Sequence, residues 1–419
     1  MAFTVPRGTS IEFRSKLANV AIHVYLGSFG LLLVFGAIIW FRDGGSPDFA
    51  HLYAEAILVQ KNPPSEIYNL EKQAAIQREL FGNQFYGGKV MPFVQPPFTL
   101  LFISPLGYLS YRQARLVWLT INLLLILLLP WAFGRWNMGV LSDQRILVLL
   151  GALSFYPFLA CLWQGQISLL FLWIVIGSYF LLRTQKDFWA GVLLGLAFIR
   201  FHLAYLLVLP LILKRRRHAF LGFAVSVGSL LTVSVSWIGV QGFDSYVFLL
   251  QRMSKDKGTL LVAPDKFQNW IGQLQLWGLN DGRRTTGSII LGLLGAVLVA
   301  TIWRGSWTPQ SITFGLRFGA TVMVALLMSP YVFMHDLSVL FITLSLFLEF
   351  VLASEERDRN RLFLTGLILF SPFVWLLTLL MSAVIPIQLS VIWMSLMLCC
   401  VFLIISAKRQ ESSKVASHS

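Results

Sequence analysis

The stretch KDFWAGVLLGLAFIRFHLAYLLVLPLILKRRR, Lys186 to Arg217, decides how the whole chain must be threaded. The interval between Lys186 and Lys214 is about 27 residues, room for one full membrane crossing or for two half-length helices. Both flanks are basic, with Arg183 and Lys186 before and Lys214-Arg215-Arg216-Arg217 after. Short basic loops stay on the cytoplasmic side of a membrane protein, so an even number of crossings must separate them. The reading is a short hairpin. Trp189 to Ile199 rises, Leu203 to Leu213 returns, and Arg200-Phe-His202 forms the tip inside the far half of the membrane.

The rest of the chain has the same character. Of its 419 residues 57% are hydrophobic and 12% charged, against roughly 25% charged in soluble domains. Apolar runs of about 15 to 25 residues recur along the chain, as spanning helices require and barrel strands do not. The expected fold is an all-α polytopic membrane protein with about twelve transmembrane helices and both ends cytoplasmic. The net charge of +14 lies mostly between the apolar runs. That placement reads as topology and contact with anionic lipid headgroups, and it argues against nucleic acid as a partner. Cys161, Cys399 and Cys400 all sit in apolar runs, so neither a disulfide framework nor a thiolate metal site is expected. The first run, Val20 to Phe41, is long and lacks a small-residue cleavage site, and reads as a signal anchor with Arg7, Arg14 and Lys16 in the cytoplasm.

After that run comes Arg42-Asp-Gly-Gly-Ser-Pro-Asp48-Phe-Ala-His-Leu-Tyr53. Glycine pairs and Ser-Pro break the first helix, and Asp48 stands at the head of the next. The polar loop 42–111 is too long for a mere connection. Within it Phe49, Tyr53, Ala56 and Ile57 recur at helical spacing opposite His51 and Glu55, which predicts a helix lying on the membrane surface and stopped by Pro63-Pro64. A second helix is expected over Leu70 to Leu80, with Glu71, Lys72, Arg78 and Glu79 as its solvated face. Met91-Pro-Phe-Val-Gln-Pro-Pro-Phe98 cannot be regular helix, and Thr99 to Leu109 is placed at the outer surface. Arg112 to Phe133 reads as one span, with a full hairpin there left open.

Further on, Ile146 to Leu182 fits two helices turning at Trp163-Gln-Gly-Gln-Ile167. Spans follow near Ala219–Val240, Ser288–Trp303, Gly315–Pro330, Leu337–Leu352, Leu362–Leu380 and Val384–Ser406. A second outer loop covers 241–287. Arg304 and the cluster Glu355-Glu-Arg357-Asp-Arg359-Asn-Arg361 fall inside. Residues 1–406 form one integral membrane domain, and the polar tail 407–419 is expected to be disordered.

With this threading the unusual polar residues all surface on the outer side: Asp48, Gln164 with Gln166, Arg200 with His202, and His335-Asp336 after Ser329-Pro330. Each has a plain explanation when taken alone. Asp48 and Gln166 can cap helices, Arg200 can snorkel to headgroups, and His335 can pair with Asp336. Charged groups within a bilayer are costly, and meeting on one face they read as a cavity. The chemistry they suit is transfer to a hydroxyl from a lipid-linked donor. A carboxylate takes the acceptor's proton and cations stabilise the departing phosphate. Arg offers a fork for phosphate oxygens, and His donates a hydrogen bond or a proton. No Asp-x-Asp pair appears outside the membrane, so neither a metal nor a cofactor is expected. The sequence holds no Gly-rich phosphate loop, no His-Glu-x-x-His, no zinc spacing and no Gly-x-Ser-x-Gly.

These residues resemble the bacterial membrane mannosyltransferases of glycosyltransferase family 87, which have the C-type membrane fold. The resemblance is carried by Asp48-Phe49, Tyr53, Ala56, Glu66-Ile-Tyr68, Pro96-Pro97, Pro105-Leu106, Gly165-Gln166, Ala190-Gly191, Gly195-Leu-Ala197 and Ser329-Pro330 with His335, in order from about Gly44 to Leu340. It implies an inverting, metal-independent enzyme that uses a polyprenyl-phosphate sugar, commonly mannose, at the outer face of the bacterial plasma membrane. The acceptor would be a lipid or glycan hydroxyl. The family's catalytic aspartate carries over to Asp48 and its histidine to His335 as a phosphate ligand. Arg200 and His202 join the phosphate site, and Tyr53, Gln95, Gln166 and Asp336 line the substrate cavity. Arg200 stands where lysine is expected, and Gln95 where tyrosine precedes Pro-Pro. Two other classes share the composition: a secondary transporter and a non-catalytic lipid-binding relative. A cavity in which Asp48 faces Arg200 and His335 favours the enzyme.

Overall fold

The computed structural model describes residues 19–31, 47–83, 85–136, 141, 143–254, 266–353, 359–381 and 385–418. Expectations that rest on Arg7, Arg14 and Lys16, on the second half of the run Val20–Phe41, or on Glu355 to Asp358 lie outside the described residues. Among the described residues the chain is helical and contains no strand. Helix α1 covers 19–31, α2 Pro47–Lys61, α3 Leu70–Phe81 and α4 Phe98–Ile103. Next come α5 Tyr111–Leu127, α6 Leu129–Arg135, α7 Arg145–Leu153, α8 Tyr156–Gln164 and α9 Ser168–Arg183. They are followed by α10 Asp187–Leu196, α11 Phe201–Leu213, α12 Arg217–Ser254, α13 Trp270–Leu276 and α14 Asp281–Ile302. The chain closes with α15 Ile312–Met328, α16 Leu340–Ala353, α17 Arg359–Met381 and α18 Leu389–His418.

Among the described residues seven helices are long and apolar enough to cross a membrane, or eight if the bent pair α7 and α8, which meet at 57°, makes one span. The expected count of about twelve also takes in the run Val20–Phe41, described only to residue 31, both arms of the hairpin, and two shorter helices. At 1.5 Å per residue, α9 and α15 are about 25 Å long, shorter than the hydrocarbon core of about 30 Å. They nonetheless lie deep in the bundle: every residue of α15 from Phe314 to Met328 is buried. A helix that is apolar all round belongs in the middle.

The decisive stretch folds back on itself. By length and apolarity Asp187–Leu213 passes as one span, and a straight helix of that size would part its ends by about 40 Å. Instead Arg216, just past the end of α11, forms an ion pair with Asp187 at the start of α10. α10 and α12 start side by side and run the same way. A Cβ on Gly191 would sit 1.8 Å from the Ala219 carbonyl oxygen, one on Gly222 2.0 Å from that of Phe188, and one on Gly195 2.4 Å from the Ser226 Cβ. The turn is the 3₁₀ segment Ala197–Arg200. Lys214 donates to the Gly305 carbonyl and Gln310 to the Arg183 carbonyl, so these loops gather at one end of the bundle, opposite the hairpin tip.

The loop before α5 departs from expectation in one respect. Helix α2 is not an amphipathic surface helix: Phe49, Ala50, His51, Leu52, Tyr53, Ala54, Glu55, Ala56 and Leu58 are all buried. It is wrapped by α3, α4, α5 and the 3₁₀ turn Ser104–Tyr108. Tyr53 ties it down, its hydroxyl donating to the Leu109 carbonyl at 2.8 Å. Helix α3 runs to Phe81 behind an Asn69 cap. Its buried amides hold the non-helical stretch before Pro96: Gln77 Nε2 donates to the Met91 carbonyl, and the Phe93 N–H donates to Gln73 Oε1. Tyr111–Arg135 is a single 25-residue span. Helix α18 continues to His418, past the point where a disordered tail is expected. Arg409 holds this extension, donating to the Thr301 and Ile302 carbonyls at the end of α14.

The hairpin has a direct test. Gly191→Ala pushes a methyl into the α12 backbone and should destabilise the protein by about 1–3 kcal/mol, as overpacking does. Gly228→Ala, on α12 with nothing within 4 Å of its Cβ position, should leave the melting temperature in detergent unchanged. Equal melting temperatures for the two variants would refute the α10–α12 contact.

Candidate functional site

The hairpin tip, the α8–α9 turn, the start of α2 and the segment after α15 converge on one polar cluster. The α8–α9 turn is closed by Gly165, at φ +73°, where a Cβ would meet that of Phe49 at 2.5 Å. Only glycine brings α2 this close. The contact puts Gln166 beside the head of α2, and Trp118 locks the turn by donating to the Gly165 carbonyl at 2.8 Å.

Gln166 Nε2 donates to Asp48 Oδ2 at 2.7 Å, and its Oε1 accepts from Arg200 Nη2 at 3.1 Å. Arg200 Nη2 also donates to Ser168 Oγ at 3.0 Å and lies 3.2 Å from Asp336 Oδ1. Ser168 Oγ donates to that same carboxylate oxygen at 3.0 Å. The other Asp336 oxygen accepts the Phe333 N–H at 3.1 Å and is 3.6 Å from His335 Nε2. His335 Nδ1 faces Gln164 Oε1 at 2.7 Å. His202 packs its ring 4.2 Å from that of Tyr331. Asp48 is thus linked to Arg200 through one amide, and Arg200 to His335 through Asp336.

The electrostatics divide this cluster in two. Asp336, 2% exposed, is the buried counter-charge of Arg200, and a buried pair survives only with such additional bonds. Asp48 is only part-buried. Burial raises its carboxyl to about 6, against the Gln166 hydrogen bond and the Arg200 charge, which pull it down. Donor groups are left over as well: Arg200 Nε and His202 Nε2 are buried without a partner among the described residues. The guanidinium's own Nε–H, with the His202 ring beside it in the tautomer that carries its proton on Nε2, can donate to an anion with several acceptor oxygens. No three His, Cys, Asp or Glu side chains among the described residues form a metal-binding group.

Of the residues singled out in the sequence, Asp48, Gln166, Arg200, His202, His335 and Asp336 come together. Tyr53 instead commits its hydroxyl to the Leu109 carbonyl. Gln95 accepts the Tyr68 hydroxyl at its own carbonyl, and its side-chain oxygen is buried without a described partner. Ser168 and Tyr331 were not legible: one looks like an ordinary helix start and the other like a loop aromatic. His51 and Glu55, which the spacing sets opposite the apolar side of a helix on the membrane surface, are both buried.

Removing Asp336 strands the Arg200 charge. Asp336→Ala should lower stability by about 3–5 kcal/mol, and adding Arg200→Met should return most of it, since an apolar replacement of both partners is near neutral. Chemical denaturation in detergent reads both; an additive double variant would mean that the pair is not coupled.

Comparison with known proteins gives one match. The family model described as Glycosyltransferase family 87 matches residues 93–330, more than half of the chain. No curated protein and no solved structure matches.

Proposed function

We propose that this chain, which belongs to glycosyltransferase family 87 and is therefore a membrane glycosyltransferase, moves a sugar from a polyprenyl-phosphate donor to a hydroxyl of a lipid or glycan acceptor, with inversion and with Asp48 as general base. Mannose is the sugar the resemblance favours. The observation that carries the reading is the Asp48–Gln166–Arg200 connection, which sets a part-buried carboxylate beside a cation that has donors to spare.

The step runs as follows. The acceptor O–H approaches the anomeric carbon, and Asp48 takes its proton as the new C–O bond forms. The bond from the anomeric carbon to the phosphate oxygen breaks, and the electron pair leaves with the polyprenyl phosphate. Arg200, His202 and His335 receive the charge that develops on that oxygen. Gln166 holds one Asp48 oxygen in place, leaving the other for the acceptor. A carboxyl at about 6 suits a base working near neutral pH. A monophosphate leaving group carries less charge than a diphosphate and needs less neutralisation. The basic loops around Arg183 and Lys214 support a cytoplasmic placement of that end, and with it a reading of the hairpin tip and the site at the outer face of the bacterial plasma membrane.

The experiment is transfer from a panel of radiolabelled polyprenyl-phosphate sugars to membrane lipids by the purified protein. Asp48→Asn keeps the side chain's shape and should cut turnover by about 10²- to 10⁴-fold. The wild-type rate should fall as pH drops through about 6: the base works as the carboxylate, and below that value it already holds the proton. An Asp48→Asn enzyme with wild-type turnover, or a rate that rises on acidification, would remove Asp48 from this role.

A further inference from the structure

Helix α2 carries Asp48, His51 and Glu55 at positions i, i+3 and i+7, so three titratable side chains follow one another along one side of the helix. The transfer step uses the first and leaves the other two unexplained. Glu55 is 0% exposed and neither of its carboxyl oxygens has a partner among the described residues. His51, 3% exposed, has the same deficit at Nε2. The non-helical segment before α4 covers them: the Phe93 ring lies 5.8 Å from that of His51 and 6.1 Å from that of Tyr68. Two residues on, Gln95 brings a fourth buried polar atom without a partner among the described residues, its Oε1. Burying such groups unpaired is costly, and a protein keeps them where something else supplies the bonds.

The cluster is continuous with the transfer site on two sides. Along α2 it leads to Asp48. On the other side the Tyr68 ring packs 4.7 Å from that of Tyr246. Tyr246 is within electrostatic reach of Tyr331, which stacks on His202.

We propose that Glu55, with His51 and Gln95, forms a subsite that binds the hydroxyl groups of a glycosyl unit, on the donor sugar or on the acceptor. This rests on the reading of the site as a glycosyl-transfer centre. The chemistry selects the ligand class. Burial holds the Glu55 carboxyl well above the usual carboxylate range and lowers the His51 imidazole to about 3, so both are neutral. A neutral acid and a neutral imidazole each donate and accept, as sugar hydroxyls do. A phosphate would call for cations, which this cluster lacks, and among the described residues no three His, Cys, Asp or Glu side chains are placed to hold a metal ion. A site built this way also discriminates, because a sugar lacking the matching hydroxyl leaves its buried groups unpaired.

The test compares the full-length wild type with Glu55→Leu and Glu55→Gln in detergent. Methyl glycosides of mannose, glucose and galactose serve as thermal-shift probes, and polyprenyl-phosphate mannose with a membrane-lipid extract serves for kinetics. At least one glycoside should raise the wild-type Tm. Glu55→Leu should lose that shift while melting no lower than wild type without sugar, because it removes an unpaired buried acid. Glu55→Gln, which still donates and accepts, should recover most of the shift. The KM should rise about tenfold in Glu55→Leu, the loss of one or two hydrogen bonds. A rise for the donor places the transferred sugar here, and a rise for the acceptor places the acceptor glycan. The proposal is overturned if no glycoside moves the wild type, if Glu55→Leu responds as wild type does with both KM values unchanged, or if Glu55→Leu does not fold. If wild type transfers nothing from the polyprenyl donor but the shift and its loss in Glu55→Leu persist, the donor reading falls and the subsite stands.

Discussion

The buried ion pair between Arg200 and Asp336 is the constraint around which the rest is arranged. A guanidinium at the tip of a hairpin that does not cross a whole bilayer needs a counter-charge and hydrogen bonds, or it must move to water. Asp336 supplies the charge from the segment after α15, and Ser168 and Gln166 supply the bonds from the α8–α9 turn. Each of these elements is therefore fixed relative to the others by one cation. The close packing of α10 on α12, with Gly191 against Ala219 and Gly222 against Phe188, fixes the hairpin that carries Arg200.

That arrangement explains why the Arg200 cation and the Asp48 carboxylate coexist without collapsing into a salt bridge. Asp336 already neutralises Arg200, so Asp48 meets it only through the Gln166 amide. Asp48 stays part-buried, with its proton affinity set by burial more than by the cation. The guanidinium keeps an Nε without a partner among the described residues. One carboxylate pairs with the cation directly and the other only through an amide.

Much of this was legible in the sequence because charge placement and apolar length are strong signals in a membrane protein. Basic residues on both flanks of 187–213 required a hairpin, and Asp187 paired with Arg216 closes it. Gly165-Gln166 between two apolar runs marked the turn that reaches Asp48. What could not be read was which side of α2 is covered. Helical spacing separates Phe49 and Tyr53 from His51 and Glu55, but it does not show that the segment around Phe93, held by Gln73 and Gln77 of α3, lies over the polar side. The length of α18 was missed because its extension depends on Arg409 meeting carbonyls from a helix more than a hundred residues earlier.

The central claim is that the cluster around Arg200 receives the phosphate of a lipid-linked sugar whose anomeric carbon then faces Asp48. The most direct measurement is an experimental structure with a non-transferable polyprenyl-phosphonate sugar bound. The account predicts phosphonate oxygens within hydrogen-bond distance of Arg200 and of His335 or His202, with the sugar between them and Asp48. A phosphonate seated instead among Lys214, Arg215 and Arg217 at the other end of the bundle, with the Arg200 cluster unchanged, would contradict it.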